Sequence, residues 1–515
     1  MDKILTSKSS RAVVRKLGKR NRRLIQSGDP HDLLNISAVE AARRIREGKL
    51  TSSELVKTLI QRIKDTHNHI NSAYDIFEAD ALKEAKEVDE YLANLDKNSD
   101  EFTQLNVTKP LLGVPFSVKG SFTVKGKKLH CGLPYKWKEP PQQEDAVVVK
   151  KLRDVGAIPL AHTNIPSACI AWESDNKIVG RSSTPYDSRC TCGGSSGGEG
   201  ALISSQGSIF GLGSDIGGSI RMPSMLNGLF GLKPHYDTID GTGHFPPDPD
   251  RNELPDVFDM LGFGPICRYA RDLPVVFSVL SGQKIPSDLH NHIPKKMVFT
   301  PGFSDSFPLS EAQMDAFNEA FEFVKYQYNL DPTRYYMPCV HNIHMEWYHC
   351  SLYKTSGPQV YSTVLLNDDK GEKRIDKELM KAVVGKSDLH LGAVISAFVL
   401  SQPPKRDIEV LRKEKKEFVK AFWSLVDDST IYLFPGLPLT HYFHKEPIPA
   451  ILDSLNCGVF NLLGASVVSI PMGLDKEGYP KSVQLVATKN NYWMLINLAM
   501  EMEKKFGGWT PPKVN

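Results

Sequence analysis

The sequence contains Gly193-Gly-Ser-Ser-Gly-Gly-Glu-Gly-Ala201 and, shortly after it, Gly213-Ser-Asp-Ile-Gly-Gly-Ser-Ile-Arg-Met-Pro223. Residues 193–231 hold 12 of the 38 glycines of the chain. Glycine at this density weakens helices and strands, so tight turns, positive φ angles or backbone amides close to a ligand must require it. Consecutive unhindered amides are what an oxyanion hole needs. Two such loops with a serine near each centre favour a nucleophilic site over plain turns.

Lys119 is the candidate base for a serine nucleophile. It ends the segment Gly113-Val-Pro-Phe-Ser-Val-Lys119. The overlapping apolar run 111–118 is predicted to form a buried strand that ends at Lys119. Burial disfavours a charged lysine and lowers its pKa toward the range of a general base. The chain contains no Asp or Glu from Phe102 to Lys138, which is compatible with a lysine that lacks a carboxylate partner.

The segments 113–119, 193–201 and 213–223, in this order and spacing, resemble the amidase signature family. The likeness runs from about residue 36 to residue 512, and residues 285–430 carry little of it. It implies an α/β fold in which a large twisted mixed β-sheet is covered on both faces by α-helices. The alternation of helix and strand patterns along the chain separately predicts an α/β fold.

The resemblance implies an amidohydrolase and assigns roles to three side chains. Ser219 would be the nucleophile. Ser195, following a cis peptide bond at Gly194–Ser195, would bridge Ser219 and Lys119. Lys119 would withdraw a proton through Ser195 and later return it to the leaving amine. Neither a metal nor an organic cofactor is implied.

Other residues of the two glycine-rich loops would support this triad. The resemblance assigns the oxyanion hole to the backbone amides of Ile216, Gly217, Gly218 and Ser219. Ser196 is expected to be a supporting hydrogen-bonding group, with a plain structural role equally open. Asp215 and Arg221 are expected to brace their loop first and to contact substrate second.

The substrate is predicted from the branch of the family that the sequence resembles, the fatty acid amide hydrolases. Four stretches carry that similarity: Ser214-Asp-Ile-Gly-Gly-Ser-Ile-Arg-Met-Pro223, Asn227-Gly-Leu-Phe230, Cys267-Arg-Tyr-Ala270 and Lys505-Phe-Gly-Gly-Trp509. They imply a lipid-like amide, either a primary fatty amide or an N-acylethanolamine. The apolar segments 393–400 and 422–433 are candidates to line an acyl channel, although core packing produces the same residues. Small aryl amides and esters remain open as substrates.

Two other functions compete with this interpretation. Gly193-Gly-Ser-Ser-Gly197 also fits G-x-S-x-G, which would make Ser195 the nucleophile of an α/β-hydrolase esterase with a His–Asp pair. That interpretation leaves Lys119 and the second glycine-rich loop unexplained.

The family resemblance also admits an inactive scaffold or a subunit that releases ammonia from glutamine for transamidation. The presence of all three triad residues argues against the scaffold, and the later segments favour the fatty amide branch over the subunit.

Composition restricts the remaining functions. A net charge of +3 over 515 residues argues against a dedicated nucleic-acid binder. The eight cysteines form no CxxC pair and are interpreted as reduced, which indicates an intracellular protein. No transmembrane segment is predicted, because no apolar stretch of about 20 residues occurs. A metal cluster is suggested by four residues, although the aromatic residues between them favour ordinary packing: His341, His344, His349 and Cys350.

The chain is predicted to divide into an arm and one domain. Residues 1–28 form a basic arm, and residues 29–515 form a single amidase signature catalytic domain. Residues 1–23 carry nine basic side chains, opposed by Asp2 alone. Composition favours a solvated, flexible arm, and its charge also suits contact with an anionic membrane surface. The protein is therefore predicted to be cytoplasmic or peripherally membrane-associated, and the resemblance is also compatible with a homodimer.

Local patterns predict individual elements. The sequences Ser37-Ala-Val-Glu40 and Thr51-Ser-Ser-Glu54 fit the capping box and predict helix starts. The polar stretch 98–109 is predicted to be a loop. Further strands are predicted at 157–161, 465–471 and 482–486. Further helices are predicted at 75–95, 145–152, 310–328, 407–426 and 492–506.

Overall fold

The computed structural model describes most of the chain. The described residues are 33–246, 259–302, 308–337, 346–347, 364–368, 373–402 and 405–512. The predicted basic arm and the four residues of the suggested metal cluster lie outside these ranges. Within them, no group of three or more His, Cys, Asp and Glu side chains is placed to hold a metal ion, and six cysteines are free thiols.

One mixed sheet of eleven strands forms the centre of the protein. The strands of the structure are β1 (Ala73–Ile76), β2 (Pro115–Lys119), β3 (Ile158–Thr163), β4 (Asp175–Asn176), β5 (Gly180–Arg181), β6 (Ser183–Thr184), β7 (Asp187–Thr191), β8 (Phe210–Asp215), β9 (Phe230–Lys233), β10 (Gly262–Cys267), β11 (Lys296–Phe299), β12 (Pro332–Arg334), β13 (Thr430–Pro435), β14 (Ser466–Leu474) and β15 (Pro480–Ala487). The large sheet has the order β1-β3-β2-β8-β10-β9-β14-β15-β13-β11-β12, and β4-β5 and β6-β7 form two small sheets. Strand β2 runs parallel to β3 and β8, and β11 runs parallel to β12 and β13, whereas the other pairs are antiparallel.

Helices cover both faces of this sheet. They are α1 (Ala38–Arg46), α2 (Ser52–Ile70), α3 (Glu78–Asn94), α4 (Asp100–Thr108), α5 (Val147–Asp154), α6 (Gly197–Ser204), α7 (Arg221–Leu226), α8 (Leu273–Ser281), α9 (Glu311–Gln327), α10 (Ile375–Val383), α11 (Leu391–Leu400), α12 (Ile408–Leu425), α13 (Leu455–Leu462) and α14 (Tyr492–Phe506). Every residue of β2, β3, β8 and β13 is buried. Because successive side chains of a strand point to opposite faces, both faces must be covered. The predicted fold class is confirmed.

Both predicted capping boxes start helices. Ser37 Oγ accepts a hydrogen bond from the Glu40 amide at 3.3 Å, and Thr51 Oγ1 accepts one from the Glu54 amide at 3.1 Å. Each bond satisfies one of the amides that a helix start leaves without an intrahelical partner. The other predicted strands and helices correspond to β3, β14, β15, α3, α5, α9, α12 and α14, with shifts of a few residues at some ends.

Most of the stretch 98–109 forms the helix α4, so the loop prediction was wrong. Ser99 caps α4 by accepting a hydrogen bond from the Phe102 amide at 3.1 Å. Asp100 and Glu101 follow in the first turn, where carboxylates interact favourably with the helix dipole. Leu105 is the buried residue of this helix, and one apolar contact was too weak a periodic signal to indicate a helix.

The apolar stretch 457–474 does not form a membrane span. It divides into α13 and β14, and both elements are largely buried within the protein. In the described part of the chain, no helix is both long enough and apolar enough to cross a membrane.

The parallel pairing of β2 with β8 brings their carboxyl ends together. Ser117 faces Gly211 and Val118 faces Leu212 in this register. Lys119 at the end of β2 therefore lies beside the end of β8, where the second glycine-rich loop begins. In open α/β sheets such strand ends are common positions for ligand sites.

Candidate active site

Lys119 is a fully buried lysine with hydrogen-bond partners on both glycine-rich loops. Its Nζ lies 2.8 Å from Ser195 Oγ, 2.8 Å from Ser214 Oγ and 3.2 Å from the Ser214 carbonyl oxygen. Burial lowers the pKa of Lys119 below its usual range, because water no longer solvates the ammonium. Among the described residues, no carboxylate lies within ion-pairing distance of Nζ. The lysine is therefore suited to be a neutral amine that accepts a proton.

The first glycine-rich loop brings Ser195 to Lys119. The peptide bond between Gly194 and Ser195 is cis, and Ser195 is almost completely buried. A Cβ on Gly194 would lie 2.8 Å from the Ala171 carbonyl oxygen, so no larger residue fits there. Ser174 clamps the loop, because its hydroxyl donates to the Gly193 carbonyl at 3.0 Å and accepts from the Gly197 amide at 3.1 Å. Sequence reasoning missed Ser174, which lies about twenty residues before the loop.

The second loop is braced by a buried ion pair between Asp215 and Arg221. The guanidinium donates to both Asp215 oxygens at 3.0 Å, and both side chains are 0% exposed. Burial alone would raise the pKa of Asp215, but Arg221 holds that pKa well below its usual range. Arg221 also donates to Asn461 Oδ1 at 2.6 Å and to the Cys457 carbonyl at 2.9 Å, which ties the loop to α13. This geometry supports the bracing role that was expected first, and neither side chain lines the cavity described below.

The Gly218 amide does not have the environment expected of an oxyanion donor. It donates to Asp215 Oδ1 at 2.6 Å, so its hydrogen is directed away from an incoming substrate. Gly218 also has φ of 118°, a conformation that favours glycine. The family pattern assigned this amide to the oxyanion hole, whereas here it holds the bracing carboxylate. The oxyanion role of the four amides stays a prediction, and the Gly218 amide would have to give up its bond to Asp215 to take part in it.

Ser219 and Ser196 connect the two loops. The Ser219 carbonyl accepts a hydrogen bond from the Ser196 amide at 3.2 Å. Ser196 is fully buried, and its hydroxyl lies 3.5 Å from the Ser214 carbonyl oxygen. Ser219 is 8% exposed and lines a cavity, whereas Ser196 does not line it. Ser196 therefore occupies a supporting position behind the two other serines.

A cavity of about 210 Å³ opens beside Ser195 and Ser219. Most of its wall is apolar, with side chains that include Ile170, Trp172, Ile216, Met222, Leu261, Val364, Val399, Leu400, Ile451 and Leu455. The predicted lining segment 393–400 contributes Ser396, Val399 and Leu400 from α11. The other predicted segment, 422–433, does not reach this cavity. Its aromatic residues Phe422 and Tyr432, with Phe434, pack in a buried cluster instead.

Glu199 is a buried carboxyl group close behind the site. Its two oxygens accept hydrogen bonds from the hydroxyls of Ser117, at 2.5 Å, and Thr163, at 2.8 Å. Burial raises the pKa of Glu199 to about 8, which favours the neutral carboxyl group over the carboxylate compared with an exposed glutamate. A neutral Glu199 does not add to the electrostatic attraction that raises the pKa of Lys119, whereas the carboxylate of Asp215 still does.

The environment of Ser195 disagrees with the α/β-hydrolase interpretation. That interpretation requires a histidine beside the serine of G-x-S-x-G. Ser195 Oγ contacts Lys119 Nζ instead, and no described histidine lies within hydrogen-bonding distance of it.

Arg221→Met is expected to lower the free energy of unfolding by about 3 kcal/mol or more. The substitution leaves the Asp215 carboxylate buried without its partner, which is costly in a protein interior. Urea denaturation would measure the loss. Arg43→Met removes an arginine that is paired with Glu40 and Glu47 on the surface of α1, and it should have a much smaller effect. Equal losses in the two variants would contradict the bracing role of Arg221.

Comparison with known proteins identifies relatives over most of the chain. The family model described as Amidase matches residues 54–309. Fatty-acid amide hydrolase 2-B of Danio rerio is 33% identical over 507 residues, which cover 94% of this chain and 91% of that protein. Fatty-acid amide hydrolase 2 of Homo sapiens is 33% identical over 499 residues, with 93% and 91% covered. An acetamidase of Aspergillus oryzae is 35% identical over 207 residues, or 40% of this chain and 36% of that protein.

Solved structures share the fold. A fatty acid amide hydrolase superposes with a TM-score of 0.73 at 20% identity, covering 100% of this chain and 91% of that chain. A structure of an amidase superposes with a TM-score of 0.70 at 23% identity, covering 92% and 100%. At these identities the superpositions establish the architecture alone.

Proposed function

The chain belongs to the amidase signature family, and on this basis we propose that it hydrolyses fatty acid amides through an acyl-enzyme on Ser219. Membership of the family makes it an amidohydrolase. The observation that carries the residue roles is the 2.8 Å contact between Ser195 Oγ and the fully buried Nζ of Lys119. It supports a proton path from a serine to an amine whose pKa is lowered by burial.

In the proposed acylation step, Ser219 Oγ attacks the carbonyl carbon of the amide. Its proton passes to Ser195 Oγ while the Ser195 proton passes to Lys119 Nζ. The carbonyl oxygen becomes an oxyanion, which the amides of Ile216, Gly217 and Ser219 stabilise. The C–N bond then breaks, and Lys119 returns the proton through Ser195 to the leaving nitrogen. Water subsequently attacks the Ser219 ester by the same path and releases the carboxylic acid.

The apolar cavity beside Ser219 supports a lipid-like acyl group. Each buried methylene contributes about 0.8 kcal/mol to binding, so a long chain gains more from such a wall than a short one. Two relatives that match nearly the whole chain are named fatty-acid amide hydrolases, which supports the same class of substrate. The acetamidase match over 40% of the chain supports a short amide as the competing substrate.

Oleamide is expected to be hydrolysed with a kcat/KM about 10²-fold or more above that of acetamide, because the cavity binds the acyl chain. Steady-state kinetics with the two amides and an aryl amide measures this preference. Val399→Trp, in the cavity wall, should reduce oleamide hydrolysis more than acetamide hydrolysis. Val410 is exposed on α12, so Val410→Trp is the matched control. It should change neither oleamide hydrolysis nor acetamide hydrolysis. Preference for acetamide or the aryl amide would overturn the fatty substrate and leave the serine chemistry in place.

Two further parts of the proposal concern assembly and location. The basic residues of the arm suit peripheral contact with an anionic membrane, which is where a lipid-like amide would be found. The catalytic domain is also proposed to form a homodimer. Flotation with anionic and neutral vesicles tests the first part, and sedimentation equilibrium tests the second. Equal binding to both kinds of vesicle would overturn the membrane contact. A monomer at micromolar protein concentration would overturn the homodimer.

A further inference from the structure

A second hydrogen-bonding path leads from Lys119 to His244. Ser214 Oγ lies 2.8 Å from Lys119 Nζ and 2.9 Å from His244 Nε2. His244 follows β9 on a loop, is 7% exposed and lines the same cavity as Ser195 and Ser219. Its other ring nitrogen, Nδ1, lies 3.3 Å from the Pro246 carbonyl oxygen.

The partners of His244 determine where its proton lies. A carbonyl oxygen can only accept a hydrogen bond, so Nδ1 must carry the hydrogen and donate to Pro246. Burial lowers the pKa of His244 to about 3, so the ring is neutral and Nε2 is an acceptor. The hydroxyl hydrogen of Ser214 is then directed to Nε2. The oxygen of Ser214 is thereby left to accept a hydrogen bond from Lys119.

This arrangement also orients the amine. A neutral lysine has two N–H groups and one lone pair. The Ser214 hydroxyl and carbonyl oxygens, at 2.8 and 3.2 Å, accept the two N–H groups. The lone pair then remains for Ser195 Oγ at 2.8 Å. Ser195 thus donates to Lys119, which is the direction in which the proton must move.

We propose that His244 is a positioning residue that acts through Ser214 to aim the Lys119 lone pair at Ser195. The inference rests on the proposed function, because it assumes that Lys119 is the base. Without the imidazole acceptor, the Ser214 hydroxyl is able to turn and donate to Lys119 in competition with Ser195.

The packing of His244 fits positioning better than direct catalysis. The ring contacts Phe122 and Phe263 edge to face, with centroids 5.0 and 5.3 Å away. These contacts hold the ring plane while Nε2 faces Ser214. Nε2 is hydrogen-bonded to Ser214 and not to Ser195 or Ser219, so His244 acts through another side chain.

The test compares variants that remove or retain the acceptor. His244→Phe keeps an aromatic ring but loses Nε2, and its kcat should fall about 10- to 100-fold with KM changed by less than about threefold. His244→Gln places an amide oxygen near the position of Nε2 and should recover most of kcat. His235→Gln is the matched control, because His235 is also a buried histidine, its Nδ1 is hydrogen-bonded to Asp237, and it does not line the cavity. Its kcat should be unchanged.

A double-mutant cycle with Ser214→Ala separates positioning from substrate contact. If His244 acts through Ser214, His244→Phe should have no further effect on kcat in the Ser214→Ala background. Additive losses, or an unchanged kcat in His244→Phe, would overturn the inference. If His244→Phe does not fold, His244→Asn replaces it, because its shorter amide does not reach Ser214.

Labelling with a fluorophosphonate, an electrophile that reacts with activated serines, separates the two proposals. A wild-type adduct on Ser219 combined with full kcat in His244→Phe would overturn the positioning role alone. A wild-type protein that forms no adduct on Ser219 would overturn the proposed function and the positioning role together.

Discussion

Lys119→Met is expected to lower kcat for amide hydrolysis by about 10³-fold or more. Methionine fills a similar apolar volume but has no lone pair that accepts the Ser195 proton. Since the other parts of the site remain, the loss should fall on kcat more than on KM. Steady-state kinetics on variant protein of verified fold measures the effect. A Lys119→Met variant with kcat within about tenfold of the wild type would contradict the lysine mechanism.

The chain offers a matched control in Lys233. It is also fully buried, and its Nζ donates to the Ala465 carbonyl at 2.6 Å. Burial lowers the pKa of Lys233 to about 7, as it lowers that of Lys119, but the hydrogen bonds of Lys233 Nζ go to the Pro234 and Ala465 carbonyls and not to a serine of the site. Lys233→Met should alter stability and leave kcat within a few-fold of the wild type. An equal fall in both variants would mean that losing any buried lysine damages the fold.

The pH dependence of the wild type follows from the same lysine. Only the neutral amine accepts a proton, so kcat/KM should rise with pH as Lys119 loses its charge. Burial lowers the pKa of Lys119, so this rise should be complete at a lower pH than for an ordinary lysine. The residual activity of Lys119→Met should lack this rise.

Ser219→Ala is expected to abolish hydrolysis, with a loss of about 10⁴-fold or more in kcat. The alanine cannot form the acyl ester, whereas Ser195→Ala keeps the nucleophile and interrupts only the proton path. Ser196→Ala removes a hydroxyl that lies behind the loops and should be the mildest of the three. Kinetics of the three variants with oleamide gives this order. A Ser196→Ala variant as damaged as Ser219→Ala would contradict the assignment.

The buried position of Lys119 was predictable from the sequence, because the pattern that indicates it is local. An apolar run at 111–118 ends before a lysine, and the second half of that run forms the buried strand β2. The glycine-rich loops were recognisable for a similar reason, since each needs glycine within a few consecutive positions. The bracing pair of Asp215 and Arg221 was also predictable, because the two residues lie six apart within one motif.

Contacts between distant segments were not predictable in this way. His244 is thirty residues from Ser214, and no local pattern marks either as a partner of Lys119. The engagement of the Gly218 amide by Asp215 depends on the path of the loop and not on residue type. Segment 422–433 had the apolar character of a channel wall, but tertiary packing placed its aromatic residues in the core.

Identification of the nucleophilic serine is the most direct test of the proposed mechanism. The wild type would be mixed with a fluorophosphonate, digested, and the modified peptide identified by mass spectrometry, with Ser219→Ala as the control. A single adduct is expected on Ser219, and none is expected in Ser219→Ala. An adduct on Ser195, or an adduct that persists in Ser219→Ala, would contradict the mechanism.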